Sequence, residues 1–144
     1  MTRAEARTLV AFAAVFTVSD VERSLQFYVG HLGFREFFRI GDPVGYAIVE
    51  RDAVSVHLMS ERQNAHGLGR SSIYVFAANI DELHDELRVL GCPIEQVPAD
   101  YSYGMREMSV RDPDGNRLTF GQEVKDRGPA AETDDRAPDV GISE

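Results

Sequence analysis

Between Tyr103 and Phe120 the chain reads Y-G-M-R-E-M-S-V-R-D-P-D-G-N-R-L-T-F, two alternating arms around a polar centre. Met108 and Val110 on one arm share a face with Leu118 and Phe120 on the other, and Met105, Glu107, Ser109, Arg117 and Thr119 take the opposite face. Asp112-Pro113-Asp114-Gly115-Asn116 lies between the arms. Asp112 can close an Asx-type turn, Pro113 presets φ, and Gly115 accepts the positive φ that a hairpin exit needs. The pattern predicts a β-hairpin whose oily side is covered by helices and whose mixed side lines a space that accepts polar contacts.

The rest of the chain repeats one order of elements. Residues 10–18 read as a strand, with Ala14, Phe16 and Val18 on one face and Ala13, Val15 and Thr17 on the other. Ser19-Asp20-Val21-Glu22 has the capping-box pattern, and Val21, Leu25, Tyr28 or Val29, and Leu32 follow at helical spacing until Gly33 stops the helix. Strands are predicted at 34–40, 46–50 and 53–60. After a polar, glycine-bearing connector at 61–69 the order starts again: a strand at 71–77, a second capping box at Asn79-Ile80-Asp81-Glu82, and a stripe of Ile80, Leu83, Leu87 and Leu90 ending at Gly91. A strand at 93–97, a loop at 98–102 and the hairpin complete it. The Leu-Gly that closes the first helix at Leu32-Gly33 recurs 58 positions later at Leu90-Gly91. The expected fold is therefore α+β, built from two βαβββ modules, 10–60 and 70–122. One such unit cannot cover its own sheet, so the halves need each other. Residues 1–9 read as a lead-in, and 123–144, polar and without period, as a disordered acidic tail.

Composition narrows the partners. With 24 acidic and 15 basic residues the formal charge is −9, and Lys125 is the only lysine. Nucleic acid and anionic membrane both need clustered Lys and Arg, so neither is expected. No apolar run approaches the roughly 20 residues of a spanning helix, and the N-terminus lacks a signal-like apolar stretch, which predicts a cytoplasmic protein. The single cysteine, Cys92, excludes an intramolecular disulfide and a Cys-based zinc cluster and reads as a small core residue.

Two βαβββ halves, V-S-D-V-E-R-S-L-Q-F-Y followed by L-G-F, and the closing Y-G-M-R-E-M-S-V-R-D-P-D-G-N-R-L-T-F-G resemble the vicinal oxygen chelate superfamily of glyoxalases, extradiol dioxygenases and bleomycin-resistance proteins, over residues 10–122. The resemblance implies a curved, cup-shaped mixed sheet with helices on its outer face, usually completed across a homodimer, with a ligand inside. In its metalloenzymes four inward positions supply metal ligands. Matched by motif, these fall on Ala13, His57, Ser72 and Thr119, of which only His57 binds a transition metal strongly. The resemblance therefore implies no metal and no cofactor here, since one imidazole is far from the three or four N/O ligands required.

Strand parity places Val15, Thr17, Ser55, His57 and Met59 of the first module inside the cup. From the second it places Ser72, Tyr74, Phe76, Met105, Glu107, Ser109, Arg117 and Thr119 there. His57 either bonds a neighbour or touches the ligand. Glu107 serves as a general base, as the counter-ion of a cation, or stands exposed on the rim. Tyr74, Phe76 and Met59 either stack on a planar ligand or fill the cup themselves. His31, His66 and His84 read as solvated, and the facing of Phe37, Phe38 and Tyr46 stays open. No nucleophile with a matched base assembles, so no catalytic residue is assigned. The expected function is metal-free binding of a small, cationic molecule through His57, Met59, Ser72, Tyr74, Phe76, Met105, Glu107, Arg117 and Thr119, as in bleomycin-type antibiotic sequestration. The opposing class is a glyoxalase- or dioxygenase-like enzyme acting through His57 and Glu107.

Overall fold

The structure is a computed structural model that describes residues 8–124. Module 1 contains β1 (Ala14–Val18), α1 (Val21–Gly30), β2 (Arg35–Ile40), β3 (Tyr46–Arg51) and β4 (Val54–Ser60). Module 2 contains β5 (Ser72–Phe76), α2 (Ile80–Val89), β6 (Gln96–Asp100), β7 (Met105–Arg111) and β8 (Arg117–Glu123). Each forms a four-stranded mixed sheet, ordered β1-β4-β3-β2 and β5-β8-β7-β6, with the first strand parallel to the last and the other pairs antiparallel. The two βαβββ modules read from the pattern are these units. Each helix lies on the face of its sheet that carries the alternating apolar residues.

Both helices begin on a side-chain cap. Asn79 accepts from the Glu82 backbone N–H at 3.0 Å, as its capping box predicts. In α1 the cap is Asp20, one residue later than Ser19-x-x-Glu22 suggests: its carboxylate accepts from Arg23 N at 3.2 Å, while the Ser19 N–H is taken by Asp114 at 3.1 Å. Tyr28, not Val29, is the buried member of the α1 stripe. The first strand is shorter than its apolar run. Among the described residues, 8–13 pair with no strand, and Leu9, Val10 and Phe12 are exposed. The strand expected at 93–97 begins three residues later and absorbs part of the expected loop, because the backbone of Glu95 and Gln96 joins β7 at Ser109 and pairing continues to Asp100. Of the lead-in expected at 1–9, residues 1–7 lie outside the described residues; of the tail expected at 123–144, Glu123 ends β8 and all beyond Val124 lies outside them.

The modules are joined by the turn between β7 and β8. Asp112 is buried and its carboxylate accepts from Asp114 N, Asn116 N, Asn116 Nδ2 and, from α1 of the other module, the Tyr28 hydroxyl at 3.0 Å. Asn116, fully buried, donates from Nδ2 to the Thr17 carbonyl and accepts from Ser71 N. Arg23 donates to the Pro113 carbonyl. Gly115, at φ +101°, closes the loop in a conformation that a side chain would strain. Burial lifts the Asp112 carboxyl above its ordinary range although its four donors pull the other way, and desolvation followed by the Asp112 charge raises the Tyr28 hydroxyl. Tyr28→Phe leaves that buried carboxylate one donor short, which costs about 1.5–3 kcal/mol. Urea denaturation should show the lower midpoint with an unchanged slope.

Candidate functional site

On the side of each sheet away from its helix, the register brings the sequence-predicted residues together. In module 1 Val15 and Ile48 flank His57, and Thr17 and Tyr46 flank Met59. In module 2 Tyr74 and Ser109 flank Thr119, while Phe76 and Glu107 flank Gly121. The two faces share a topology and differ in state.

The module 1 face is open and mostly apolar. Val15 is 46% exposed, Phe38 44% and Ile40 58%, with Tyr46, Ile48, His57 and Met59 half-buried between them. Tyr46 settles next to His57: its hydroxyl is 2.8 Å from Nδ1 and the rings meet edge to face. This fixes the imidazole and leaves Nε2 without a hydrogen-bond partner among the described residues. Phe38 falls on the same side through its pairing with Ile48, and a bulge between Glu36 and Phe38 leaves Phe37 exposed beneath the Arg35 guanidinium.

On the module 2 face the side chains form two polar clusters. Arg117 is 2% exposed and donates from Nε and Nη2 to the two oxygens of Glu95, each at 2.9 Å; Ser109 and Arg111 also donate to Glu95. Burial pushes the Glu95 carboxyl up, but the Arg117, Arg111 and Ser109 bonds outweigh it and the net position is below the ordinary carboxylate range. The second cluster centres on Glu107, 4% exposed and not on a rim, whose oxygens accept from Tyr74 at 2.6 Å and Tyr103 at 2.9 Å. Desolvation and then the Glu107 carboxylate raise both hydroxyls. Gly121 permits this arrangement, since a Cβ there would collide with the Tyr74 hydroxyl. Tyr101 stacks on Tyr103 and Phe76 meets Tyr74 edge on, so aromatic rings surround the carboxylate.

Thr119 is buried, and its Oγ1 has no hydrogen-bond partner among the described residues; Ser72 is exposed and Met105 half-buried. At the four positions matched to metal ligands stand Ala13, His57, Ser72 and Thr119, and among the described residues no three His, Cys, Asp or Glu side chains gather as a metal site would need. Cys92 is buried, and desolvation pushes its thiol up to about 11. His66 is exposed. His31 differs from its solvated reading: at the C-terminus of α1 its Nδ1 lies 2.8 Å from the Leu90 carbonyl, tying the two helix ends. Sequence reasoning missed Glu95, which sits ahead of its strand with no periodicity to mark it, and Tyr103, whose reach across a glycine turn no pattern encodes.

Because Glu95 is ionised more readily in the folded chain, the stability it contributes is present above the ordinary glutamate range and is lost as pH falls through its lowered value. Between neutral pH and pH 3, Glu95→Gln should flatten the acid-side decline of the urea midpoint measured on the wild type.

A family model described as Glyoxalase/Bleomycin resistance protein/Dioxygenase superfamily matches residues 10–120. A bleomycin resistance protein of Geobacillus stearothermophilus is 26% identical over 125 residues, covering 75% of this chain and 92% of that one. The crystal structure of TioX from Micromonospora sp. ML1 superposes with a TM-score of 0.70 at 22% identity, covering 81% of this chain and all of that one. TnmS3, described as an antibiotic binding protein from Streptomyces sp. CB03234, superposes with a TM-score of 0.62 at 20% identity, covering 81% of this chain and 99% of that one.

Proposed function

The chain belongs to the glyoxalase, bleomycin resistance protein and dioxygenase superfamily, and within it we propose that this protein sequesters a small antibiotic in the cytoplasm, without a metal and as a homodimer. The observation that carries the reading is the open module 1 face, an apolar surface around the Tyr46–His57 pair. A ligand's flat body lies there against Val15, Ile48, Phe38 and Met59. The residues at the matched ligand positions support binding over metal catalysis, since Ala13 brings no donor and Ser72 and Thr119 bring neutral hydroxyls. The similarity to a bleomycin resistance protein and to an antibiotic binding protein supports the drug class.

A cationic drug suits the −9 charge and the module 2 face. Both oxygens of Glu107 are occupied by tyrosine hydroxyls, so a ligand ammonium or guanidinium reaches it by replacing Tyr103, the more exposed of the two, while Phe76 offers its ring at 79% exposure. An aromatic face attracts a cation by about 0.5–2 kcal/mol and a charge-assisted bond adds about 1.5–3 kcal/mol.

Titration of bleomycin into the chelator-treated protein should give saturable binding, weakened at least about tenfold in Glu107→Gln and in Phe76→Ala, with circular dichroism unchanged. No binding by the wild type, or binding that needs added metal, would turn the assignment toward an enzyme using the Tyr46–His57 pair. For the dimer, the exposed Leu9, Val10, Phe12 and Ile40 and the open edge β2 are apolar surface for a twofold partner to cover. Light scattering at micromolar concentration should report twice the 16.0 kDa chain mass; a single chain mass would refute it.

A further inference from the structure

The two modules repeat each other, so α1 corresponds to α2 and the β7–β8 turn to the β3–β4 turn. Each helix faces the turn of the opposite module, yet the two junctions are filled differently. Against α1, the five residues Asp112 to Asn116 fill the space and bond Tyr28, Arg23 and Ser19. Against α2 the corresponding turn has only Asp52 and Ala53 between the paired Arg51 and Val54, with Asp52 held at φ +52°. Two residues do not reach as far as five, and the helix position matching Tyr28, counted from the caps Asp20 and Asn79, is Leu87, with no hydroxyl to offer. What remains is a cleft of about 420 Å³ between the modules, within the roughly 300–1,000 Å³ typical of small-molecule sites.

Its floor is apolar: Phe34, Val54, Leu83, Leu87 and Phe120 line it. Its rim is acidic. Asp52, Glu82 and Glu86 stand there with one cation, Arg51, which is already bound through Nη1 to the Leu32 carbonyl at 2.8 Å and through Nη2 to Glu86 at 2.6 Å, and whose Nε lies 3.9 Å from Asp52. Glu82 makes no ion pair among the described residues. His57, Met59, Glu107 and Thr119 do not border the cleft; Phe76, whose ring the drug site above also uses, does, so the two sites meet at that residue.

We propose that this cleft is a second ligand site, which takes a small flat molecule bearing a protonated amine. The ring occupies the volume that the Asp112 to Asn116 turn fills at the other junction, and the ammonium sits among Glu82, Glu86 and Asp52. Charge complementarity selects the amine, because three lining carboxylates face one lining cation, Arg51, which Glu86, Asp52 and a backbone carbonyl already share. Filling the cleft ties α2 to the β3–β4 turn, as Tyr28 and Asp112 tie α1 to the β7–β8 turn.

The test uses the full chain, methyl-labelled for NMR, with 2-naphthylmethylamine and 2-naphthoate as probes. The amine should shift the Val54, Leu83 and Leu87 methyls saturably and give intermolecular contacts to them, and naphthoate should bind about tenfold more weakly or not at all. Leu83→Phe, which fills the cleft, should abolish these shifts, and Glu82→Gln should weaken binding; the wild-type contacts decide the matter if Leu83→Phe fails to fold. Contacts confined to Ile48 and Met59, equal binding of naphthoate, or no binding would overturn the proposal. So would a cleft already covered by a second copy, seen as unshifted methyls together with a dimer that Leu83→Asp converts to monomer.

Discussion

The hydrogen-bond acceptance of Asp112 is the constraint on which the arrangement of both modules depends. A carboxylate removed from water is costly unless its lone pairs are answered. Here three donors come from its own turn, which organise the β7–β8 hairpin, and the fourth is Tyr28, whose helix belongs to the other half of the chain. The local fold of one turn and the docking of two modules are therefore satisfied by the same two oxygen atoms. Asn116 extends the arrangement to the Thr17 carbonyl and Ser71 N, so the inner edges of both sheets are referenced to this point.

The fold was legible because its signals are periodic and local. Alternation located the β7–β8 faces, 3.6-residue stripes located α1 and α2, and Leu32-Gly33 with Leu90-Gly91 marked the repeat. The errors are at places where tertiary partners override local pattern. Residues 10–13 are apolar but have no strand beside them, and Ser19 loses the cap because Asp114, 95 residues away, takes its N–H. The site was legible as a list of inward positions and not as a state. Parity puts His57 and Glu107 on inner faces, but it cannot say that Tyr46 turns toward one or that Tyr74 and Tyr103 enclose the other. Those outcomes depend on side-chain reach across strands, and on the missing Cβ at Gly121.

The two inner faces contrast although the topology beneath them repeats. The same βαβββ scaffold presents an apolar surface in module 1 and a satisfied polar interior in module 2. Arg117 illustrates the second case: a guanidinium 2% exposed is met by Glu95 in a two-point contact.

All the ion pairs among the described residues use arginine: Arg23, Arg35, Arg39, Arg51, Arg106, Arg111 and Arg117. A guanidinium stays protonated throughout the range in which proteins are handled, whereas a lysine ammonium loses its proton in base. The phenols of Tyr28, Tyr74 and Tyr103, also held above their ordinary value, are slow to ionise. Alkalinity therefore has few handles on this domain: its charge network can be dismantled from the acid side, through the carboxylates, and hardly at all from the other.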